Sequence, residues 1–218
     1  MTARLVIWGA GEHGRVVAEI VRLGGEYEVV GWLDDVNVDR HGSTYADLPI
    51  LGGREQLDRL HDQGVDHLAL AVGRCEARLR LADLAHRTGY RLPTLVHPRA
   101  SVGIGVPLGE GTVLKAGAIV DVGATIGAVV MLAHSSVAHG SVLEDGVLMA
   151  GGGTLAGRVH VGRGTFIGVG VTVSDRIRVG RGALIGAGSV VVRDVPDGFV
   201  AYGVPARAVR RVTAAEGP

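Results

Sequence analysis

Residues 161–191 read VGRGTFIGVGVTVSDRIRVGRGALIGAGSVV, with a branched aliphatic residue at every sixth position. The same period extends back through the second half of the chain. Its complete set is Val113, Ile119, Thr125, Met131, Val137, Leu143, Met149, Leu155, Val161, Ile167, Val173, Val179, Ile185 and Val191. A helix repeats apolar residues every three or four positions and a flat strand every two, so neither fits this spacing. The period predicts a left-handed parallel β-helix with three short strands per coil, in which each of these residues points into the core.

Residues 1–97 show a different pattern, in which apolar runs alternate with helical segments. We predict strands at Arg4–Trp8, Tyr27–Leu33, His67–Val72 and Leu92–Val96, and helices near Gly14–Leu23, Arg54–Gln63 and Glu76–Thr88. This alternation is typical of a parallel α/β sheet, and its length supplies one Rossmann-like half-domain. His97-Pro98 marks the boundary, because the residue before a proline avoids the helical conformation.

The predicted organisation has three parts. An α/β Rossmann-like half-domain spans residues 1–97, the β-helix spans residues 98–195, and a short C-terminal cap spans residues 196–218. An uncovered last coil would expose backbone groups and apolar side chains, so a cap is needed. We expect the arginine-rich part of this cap to form a short helix.

Composition restricts the partners of the chain. Its 22 basic and 22 acidic side chains cancel, so no general field favours nucleic acid or an anionic membrane surface. No apolar run approaches the roughly 20 residues that cross a bilayer, and we expect no membrane insertion.

Cys75 is the only cysteine, and the N-terminus lacks a leader pattern. We therefore expect a cytoplasmic protein that binds anions at local sites. Lys115 is the only lysine, and we assign it no role.

Several short motifs carry a resemblance to a known family. They are Gly9-Ala10-Gly11-Glu12-His13-Gly14, Asp34-Asp35, His97-Pro98, Ser136-Val137-Ala138-His139 and Gly203-Val204-Pro205-Ala206. Together they resemble the bacterial sugar O-acyltransferases related to sialic-acid O-acetyltransferases and to N-acetyltransferases of nucleotide-linked amino sugars. The resemblance covers almost the whole chain. It implies a homotrimer that transfers an acetyl group from acetyl-CoA, bound between neighbouring β-helices, to a nucleotide-linked sugar held by the N-terminal domain, for surface glycan biosynthesis.

The glycine-rich loop after the first predicted strand opens a helix, which presents backbone N–H groups to a phosphate. The resemblance implies that the nucleotide sugar contacts Gly9, Gly11, Glu12, His13, Gly14, Asp34 and Asp35. The same loop, with an acidic residue twenty positions after its last glycine, also fits a dinucleotide-binding dehydrogenase. The domain is too short for the two halves which that fold needs. A third interpretation is a simple tight turn whose aspartates cap the next segment.

Acyl transfer to an amine or a hydroxyl requires a base that removes a proton, and a histidine suits this work near neutral pH. The resemblance implies that His139 is this base. Family members often have an acidic residue beside it, whereas this sequence has an alanine and a glycine there. Asp121, eighteen residues earlier, and Glu144 are candidates to orient the ring. His134 is a candidate to share or replace the role.

The resemblance also implies a groove for the acyl donor, lined by Gly157, Val169 and Ala187. In this groove Arg207 or Arg210 would reach the donor phosphates, although these arginines also fit a role in solubility alone.

The competing hypothesis is a non-catalytic or metal-dependent β-helix protein that binds a nucleotide sugar. A catalytic zinc site would need three converging histidines. The spacing of His134, His139 and His160, five and then 21 residues, argues against such a site. We therefore expect no metal and give His160 no role.

Overall fold

The computed structural model describes residues 2–213 and 216. The N-terminal domain contains β1 (Ala3–Trp8), α1 (Glu12–Gly24), β2 (Tyr27–Leu33), β3 (Thr44–Tyr45), β4 (Leu48–Gly52), α2 (Leu57–Asp62), β5 (His67–Leu70) and α3 (Cys75–Arg87). Two short 3-10 turns, Val38–Arg40 and Arg54–Gln56, complete its regular structure. The three helices form where the sequence pattern predicts them.

The N-terminal sheet has the order β3-β4-β2-β1-β5 and is parallel except for the β3–β4 hairpin. The chain moves outward from β1 to β2 and β4, and then returns to place β5 on the other side of β1. α1 covers one face of the sheet with its buried residues Val17, Ile20 and Val21. The strand order therefore reverses between β1 and β5, and such a reversal opens a crevice at the carboxyl ends of the strands.

The second half of the chain forms the predicted β-helix, whose strands stack into three faces. Within each face neighbouring strands are parallel, except in the last hairpin of face I. Face I contains β6 (Leu95–Val96), β8 (Val113–Leu114), β11 (Met131–Leu132), β14 (Leu148–Met149), β17 (Phe166–Ile167), β20 (Leu184–Ile185), β22 (Phe199–Gly203) and β23 (Ala206–Arg211). Face II contains β7 (Ser101–Val102), β9 (Ile119–Val120), β12 (Ser136–Val137), β15 (Thr154–Leu155), β18 (Thr172–Val173) and β21 (Val190–Val191). Face III contains β10 (Thr125–Ile126), β13 (Val142–Leu143), β16 (His160–Val161) and β19 (Arg178–Val179). We call the corner between faces I and II edge I–II, and the corner between faces II and III edge II–III.

The core of the β-helix is aliphatic, but its register differs from the predicted one in the first coils. From Val137 onward the predicted residues point inward. The prediction is wrong for the four residues Val113, Ile119, Thr125 and Met131. Their inward-pointing neighbours are Leu114, Val120, Ile126 and Leu132. Ile119 is 45% exposed, while Val113 and Met131 pack against the N-terminal domain.

The cause of the shift is a short corner at His134. The inward residues Leu132 and Val137 are five positions apart, where the repeat elsewhere keeps six. Strand pairing shows the same step, because Val137 lies beside Val120, seventeen residues earlier. A count in steps of six does not detect this missing residue, because most early strands have two adjacent apolar residues and either one fits the period.

Both ends of the β-helix also differ from the prediction. The segment Leu92–Val96 does not add a strand to the N-terminal sheet, because Leu95–Val96 pairs with β8 and forms the first strand of face I. At the other end the predicted short helix is wrong. β22 pairs with β20 and then with β23 as an antiparallel hairpin. Strand pairing satisfies the backbone groups that the last coil would otherwise leave open, which a helix would not do.

Face I carries the N-terminal domain. Its outward residues Leu95, Val113, Met131 and Leu148 form one buried cluster with residues of α1 and β1. These contacts place α1 and α3 beside the β-helix and leave faces II and III uncovered by the N-terminal domain.

Arg78 of α3 enters this interface and is only 1% exposed. Its guanidinium donates hydrogen bonds to the carbonyl oxygens of Val129 at 2.9 Å and Gly146 at 2.8 Å, both in the β-helix. It also donates to the carbonyl oxygen of Val72, after β5, at 2.9 Å. Burial lowers the pKa of Arg78, but the group keeps its charge because arginine starts so high. One buried cation thus links the sheet, α3 and the β-helix.

Replacement of Arg78 by leucine should lower the free energy of unfolding by about 3 kcal/mol, because several buried carbonyl groups lose their donor. For a chain of this size the melting temperature should fall by about 6–12 °C. Arg80→Ala is the matched control, since Arg80 lies on the same helix and forms an exposed pair with Glu76. Its effect should stay within about 0.5 kcal/mol. Thermal unfolding followed by circular dichroism measures both, and equal melting temperatures would contradict the structural role of Arg78.

Candidate active site

A cleft of about 570 Å³ opens at the crevice between β1 and β5. Its walls come from the ends of β1 and β2, the loop after β5 and one side of α3. Three of the residues predicted to bind the nucleotide sugar line it: Gly9, Asp34 and Asp35. Three arginines also line it: Arg54, Arg80 and Arg87. A concave site with both charges, at the carboxyl edge of a parallel sheet, suits a polar, anionic ligand.

The two aspartates are held by different groups. Asp34 accepts hydrogen bonds from the backbone N–H groups of Val36 and Asn37 and from the Asn37 side chain, at 2.9–3.0 Å. Burial alone would raise the pKa of Asp34, but these hydrogen bonds outweigh it and the pKa is lowered. Asp35 accepts from the backbone and guanidinium N–H groups of Arg54. Asp34 therefore shapes the loop, while the more accessible Asp35 has a cation, Arg54, beside it in the cleft.

The glycine-rich loop makes close contacts that a side chain would prevent. A Cβ at Gly9, whose φ is +122°, would lie 2.6 Å from the carbonyl oxygen of Ala71. A Cβ at Gly14 would collide with the carbonyl oxygen of Gly9. Gly11 faces open space and begins α1. The first N–H groups of a helix have no partners within it and attract anions. The loop is thus a tight turn that leaves the N-terminus of α1 open at Gly11.

Glu12 and His13 point away from the cleft wall described above. The Glu12 carboxylate binds Arg15 and accepts a 2.8 Å hydrogen bond from the Tyr45 hydroxyl. The His13 ring turns toward the β-helix, where Nδ1 lies 2.9 Å from the Nζ of Lys115. Of the seven residues predicted to bind the nucleotide sugar, only Gly9, Asp34 and Asp35 therefore line this cleft.

The contact between Lys115 and His13 joins the glycine loop to edge I–II. Burial, followed by the charges of Lys115 and Arg78, lowers the pKa of His13 to about 4. Burial also lowers the pKa of Lys115. At neutral pH His13 is therefore neutral and accepts the lysine hydrogen bond at Nδ1, which leaves the proton on Nε2. That Nε2 atom is buried and has no partner among the described residues. The only signal of Lys115 in the sequence is that it is the sole lysine.

His139 lies on edge II–III and is exposed. Its ring lies against Gly157 of the next coil, where an added Cβ would be 2.9 Å from Nε2. In residues 2–213 and 216 no side chain hydrogen-bonds to this ring. Glycine at position 157 therefore leaves room for the histidine ring but does not orient it.

The two carboxylates proposed to orient His139 are elsewhere. Because of the short corner, Asp121 lies beside Ala138, and Val122 is the residue beneath His139. The carboxylate of Glu144 is hydrogen-bonded to Nε2 of His160 at 2.8 Å. The structure thus gives His160 a partner and leaves His139 without a carboxylate from its own coil or the adjacent coils.

The residues predicted to line the donor groove lie on two different edges. Gly157 is on edge II–III beside His139, whereas Val169 and Ala187 are on edge I–II in successive coils. His134 is on edge I–II as well, one coil above Lys115. Arg207 is on β23, next to Tyr202 of β22. Val169 and Ala187, two of the three residues predicted to line the groove, therefore share their edge with His134 and not with His139.

Face II separates these edges and carries no outward charge on its strands. Its outward strand residues are Ser101, Ile119, Ser136, Thr154, Thr172 and Val190. Face III differs, since His160 and Arg178 point outward from it.

Among the described residues there is no group of three or more side chains suited to a metal ion. None of the helices within this part of the chain is long and apolar enough to span a bilayer.

Comparisons with known proteins agree with this architecture. The family model of the PglD N-terminal domain matches residues 4–85. Perosamine N-acetyltransferase from Caulobacter crescentus, solved as a histidine-to-asparagine variant in complex with CoA and GDP-perosamine, is 33% identical. It covers 96% of this chain and 98% of its own, with a TM-score of 0.91. The acetyltransferase domain of PglB from Neisseria gonorrhoeae is 33% identical and covers 95% of this chain and 100% of its own, with a TM-score of 0.89. A search of curated protein sequences gave no significant match.

A half-Rossmann domain joined to a hexapeptide-repeat β-helix defines an acyltransferase architecture, and the comparisons confirm it. The chain belongs to the sugar acetyltransferases of the hexapeptide-repeat type that carry a PglD N-terminal domain. The family resemblance, the fold class and the enzyme class predicted from the sequence are therefore confirmed.

The buried His13 should make stability depend on pH. The unfolded chain takes up a proton on this histidine near pH 6.5, whereas the folded chain does so only near pH 4. Stability is therefore complete above pH 6.5 and falls as the pH drops to about 4, by about 2–3 kcal/mol. His13→Gln should remove this part of the pH dependence. Melting temperatures measured from pH 7.5 to 4.5 test this, with His86→Gln, an exposed histidine on α3, as the control. Parallel curves for wild type and His13→Gln would refute it.

Proposed function

We propose that this enzyme transfers the acetyl group of acetyl-CoA to the amino group of a sugar linked to a nucleoside diphosphate. The observation that carries the proposal is the cleft between β1 and β5, which is lined by arginines and aspartates and by Gly9 of the glycine loop. The same loop contacts an edge of the β-helix through His13 and Lys115. Similar proteins support the choice of ligands, since one was solved with CoA and GDP-perosamine. The name of that relative, an N-acetyltransferase, favours an amine over a hydroxyl as the acceptor. The product is a precursor for glycan assembly in the cytoplasm.

The nucleotide sugar occupies the cleft with its phosphates at the start of α1. Backbone N–H groups from Gly11 to Gly14 receive the phosphates, and Arg54 and Arg80 offset their charge. Asp35 contacts the nucleoside. The sugar then extends past the glycine loop toward edge I–II.

Acetyl-CoA lies along edge I–II. The small residues Gly151, Val169 and Ala187 leave space for the pantetheine arm, and its thioester ends near His134 and Lys115. The residues of the chain then bring the two substrates together from two sides: the N-terminal domain presents the amine, and the β-helix presents the thioester.

The active enzyme is a homotrimer in which each site uses two copies. His134 and His139 are five residues apart on opposite edges of face II, which corresponds to a separation of up to about 16 Å. A general base must lie within about 3 Å of its proton, so His139 is too far from edge I–II of its own chain. Cyclic symmetry provides a solution, because it places one edge of a copy against a different edge of its neighbour. The uncharged face II suits such a contact.

His139 of the neighbouring copy then acts as the general base. The amine nitrogen attacks the thioester carbonyl carbon and its proton passes to His139, the C–N bond forms, and the C–S bond breaks with release of the thiolate of CoA. His139 returns its proton to solvent. Gly157 leaves space for this ring, because a side chain there would lie too close to Nε2.

The proposed substrates are tested with a set of nucleotide amino sugars of the uridine, guanosine and thymidine diphosphate types. We expect at least one to bind in calorimetry, and acetyl-CoA to release free thiol in its presence. The matching nucleotide sugar with a hydroxyl in place of the amine is the control and should release at least tenfold less thiol. Binding of all sugars without thiol release from any of them would leave a sugar-binding protein and refute the proposed activity.

His139→Ala should lower kcat by about 10²–10⁴ and leave both KM values within a few-fold, since a general base acts on the transition state. His160→Ala is the matched control. That histidine is paired with Glu144 on face III, and its loss should change kcat by less than threefold. A loss below about tenfold for His139→Ala would show that another group is the base.

A further inference from the structure

His134 occupies a backbone position that glycine holds in the other coils of edge I–II. The residues at this corner are Gly117, His134, Gly152, Gly170 and Gly188, and all have positive φ. Their φ values are +71°, +48°, +73°, +66° and +69°. Glycine adopts this conformation readily, whereas a residue with a side chain does so at a cost. Among these five corners of edge I–II the sequence therefore accepts strain at His134 alone, and strain of this kind often accompanies function.

The His134 side chain is exposed. Its ring carbon Cδ2 would be 3.7 Å from a Cβ at Gly117 in the coil below. Among the described residues no side chain or backbone group hydrogen-bonds to its ring nitrogens. The backbone carbonyl accepts from Gly152, at 3.0 Å, and holds the corner in place. The fold thus fixes the position of the histidine without using its imidazole.

The neighbours of His134 are the groups through which the two domains meet. Lys115 lies one coil below on the same edge, and its Nζ is 2.9 Å from His13 of the glycine loop. Val169 and Ala187, which belong to the proposed donor column, lie above it on the same edge. In the arrangement proposed above, the sugar that extends from the loop and the thioester at the base of the donor column therefore meet beside His134.

We propose that His134 is a second acid–base residue of the acyl transfer, which protonates the departing thiolate of CoA. This inference rests on the proposed function. The amine loses its proton to His139 of the neighbouring copy, the C–N bond forms and the C–S bond breaks. The sulfur takes a proton from the His134 imidazolium, which regains it from solvent, while His139 releases its own. The products are the amide and the free thiol, so protons balance without a further reactant.

His134→Gly separates chemistry from folding, because glycine is the residue that the other coils of this edge carry. Its melting temperature should equal or exceed that of the wild type. Its kcat should fall about 10²-fold with both KM values within threefold, and added imidazole should restore activity in a saturable manner. Arg176→Gly is the matched control, since Arg176 also has a positive φ, of +58°, at another corner. Its kcat should not change.

A kcat for His134→Gly within threefold of the wild type would overturn the proposal, as would a loss that imidazole does not restore. A second measurement is independent of turnover. The ring signal of His134 in the NMR spectrum of the full chain, assigned by its absence from His134→Gly, should shift when CoA is added. An unchanged signal overturns the role of His134. A wild-type enzyme that transfers no acetyl group refutes the proposed function instead, so the two failures are distinguishable.

Discussion

The structure depends on one buried cation, the guanidinium of Arg78. An isolated charge is costly to bury, and here the compensation comes from carbonyl oxygens of both domains and not from a carboxylate. Two of the acceptors, Val129 and Gly146, are at corners of the β-helix with positive φ. A third, Val72, lines the cleft. Because the guanidinium donates to several acceptors in fixed directions, it determines the relative orientation of the two domains as well as their contact. The position of the cleft relative to the β-helix therefore follows from Arg78.

That orientation has a direct consequence for the site. With the N-terminal domain fixed on face I, the glycine loop reaches edge I–II, where Lys115 meets His13. It does not approach edge II–III, where His139 lies. The glycine loop and His139, the histidine implied by the family resemblance, are therefore on opposite sides of face II in one chain. Within a single copy, the proposed substrate site and the proposed base are therefore too far apart to act together.

The sequence predicted the architecture well because its main signals are periodic and local. A spacing of six defines the β-helix, and the alternating runs define the α/β domain. The errors came from single residues that interrupt a period. The short corner at His134 moved Val113, Ile119, Thr125 and Met131 out of register, and with them the supposed alignment of Asp121 under His139. Tertiary contacts were equally hidden: nothing local distinguishes the buried Arg78 from the exposed Arg80, and the pair of Glu144 with His160 joins two coils.

The missing acid beside His139 has a physical interpretation in this geometry. A histidine that works alone in a single chain needs a local partner to fix its tautomer. A histidine at a subunit boundary gains partners when the neighbouring copy covers it, and they need not lie near it in sequence. On the opposite edge His134 is exposed and strained, and Lys115 has a lowered pKa. These are polar groups that a neighbour would bring to the boundary. An assembly that joins the two edges, as proposed above, would give partners to both histidines, whose rings have no hydrogen-bond partner among the described residues. It would also give a use to the histidine that stands where the other coils of edge I–II have glycine.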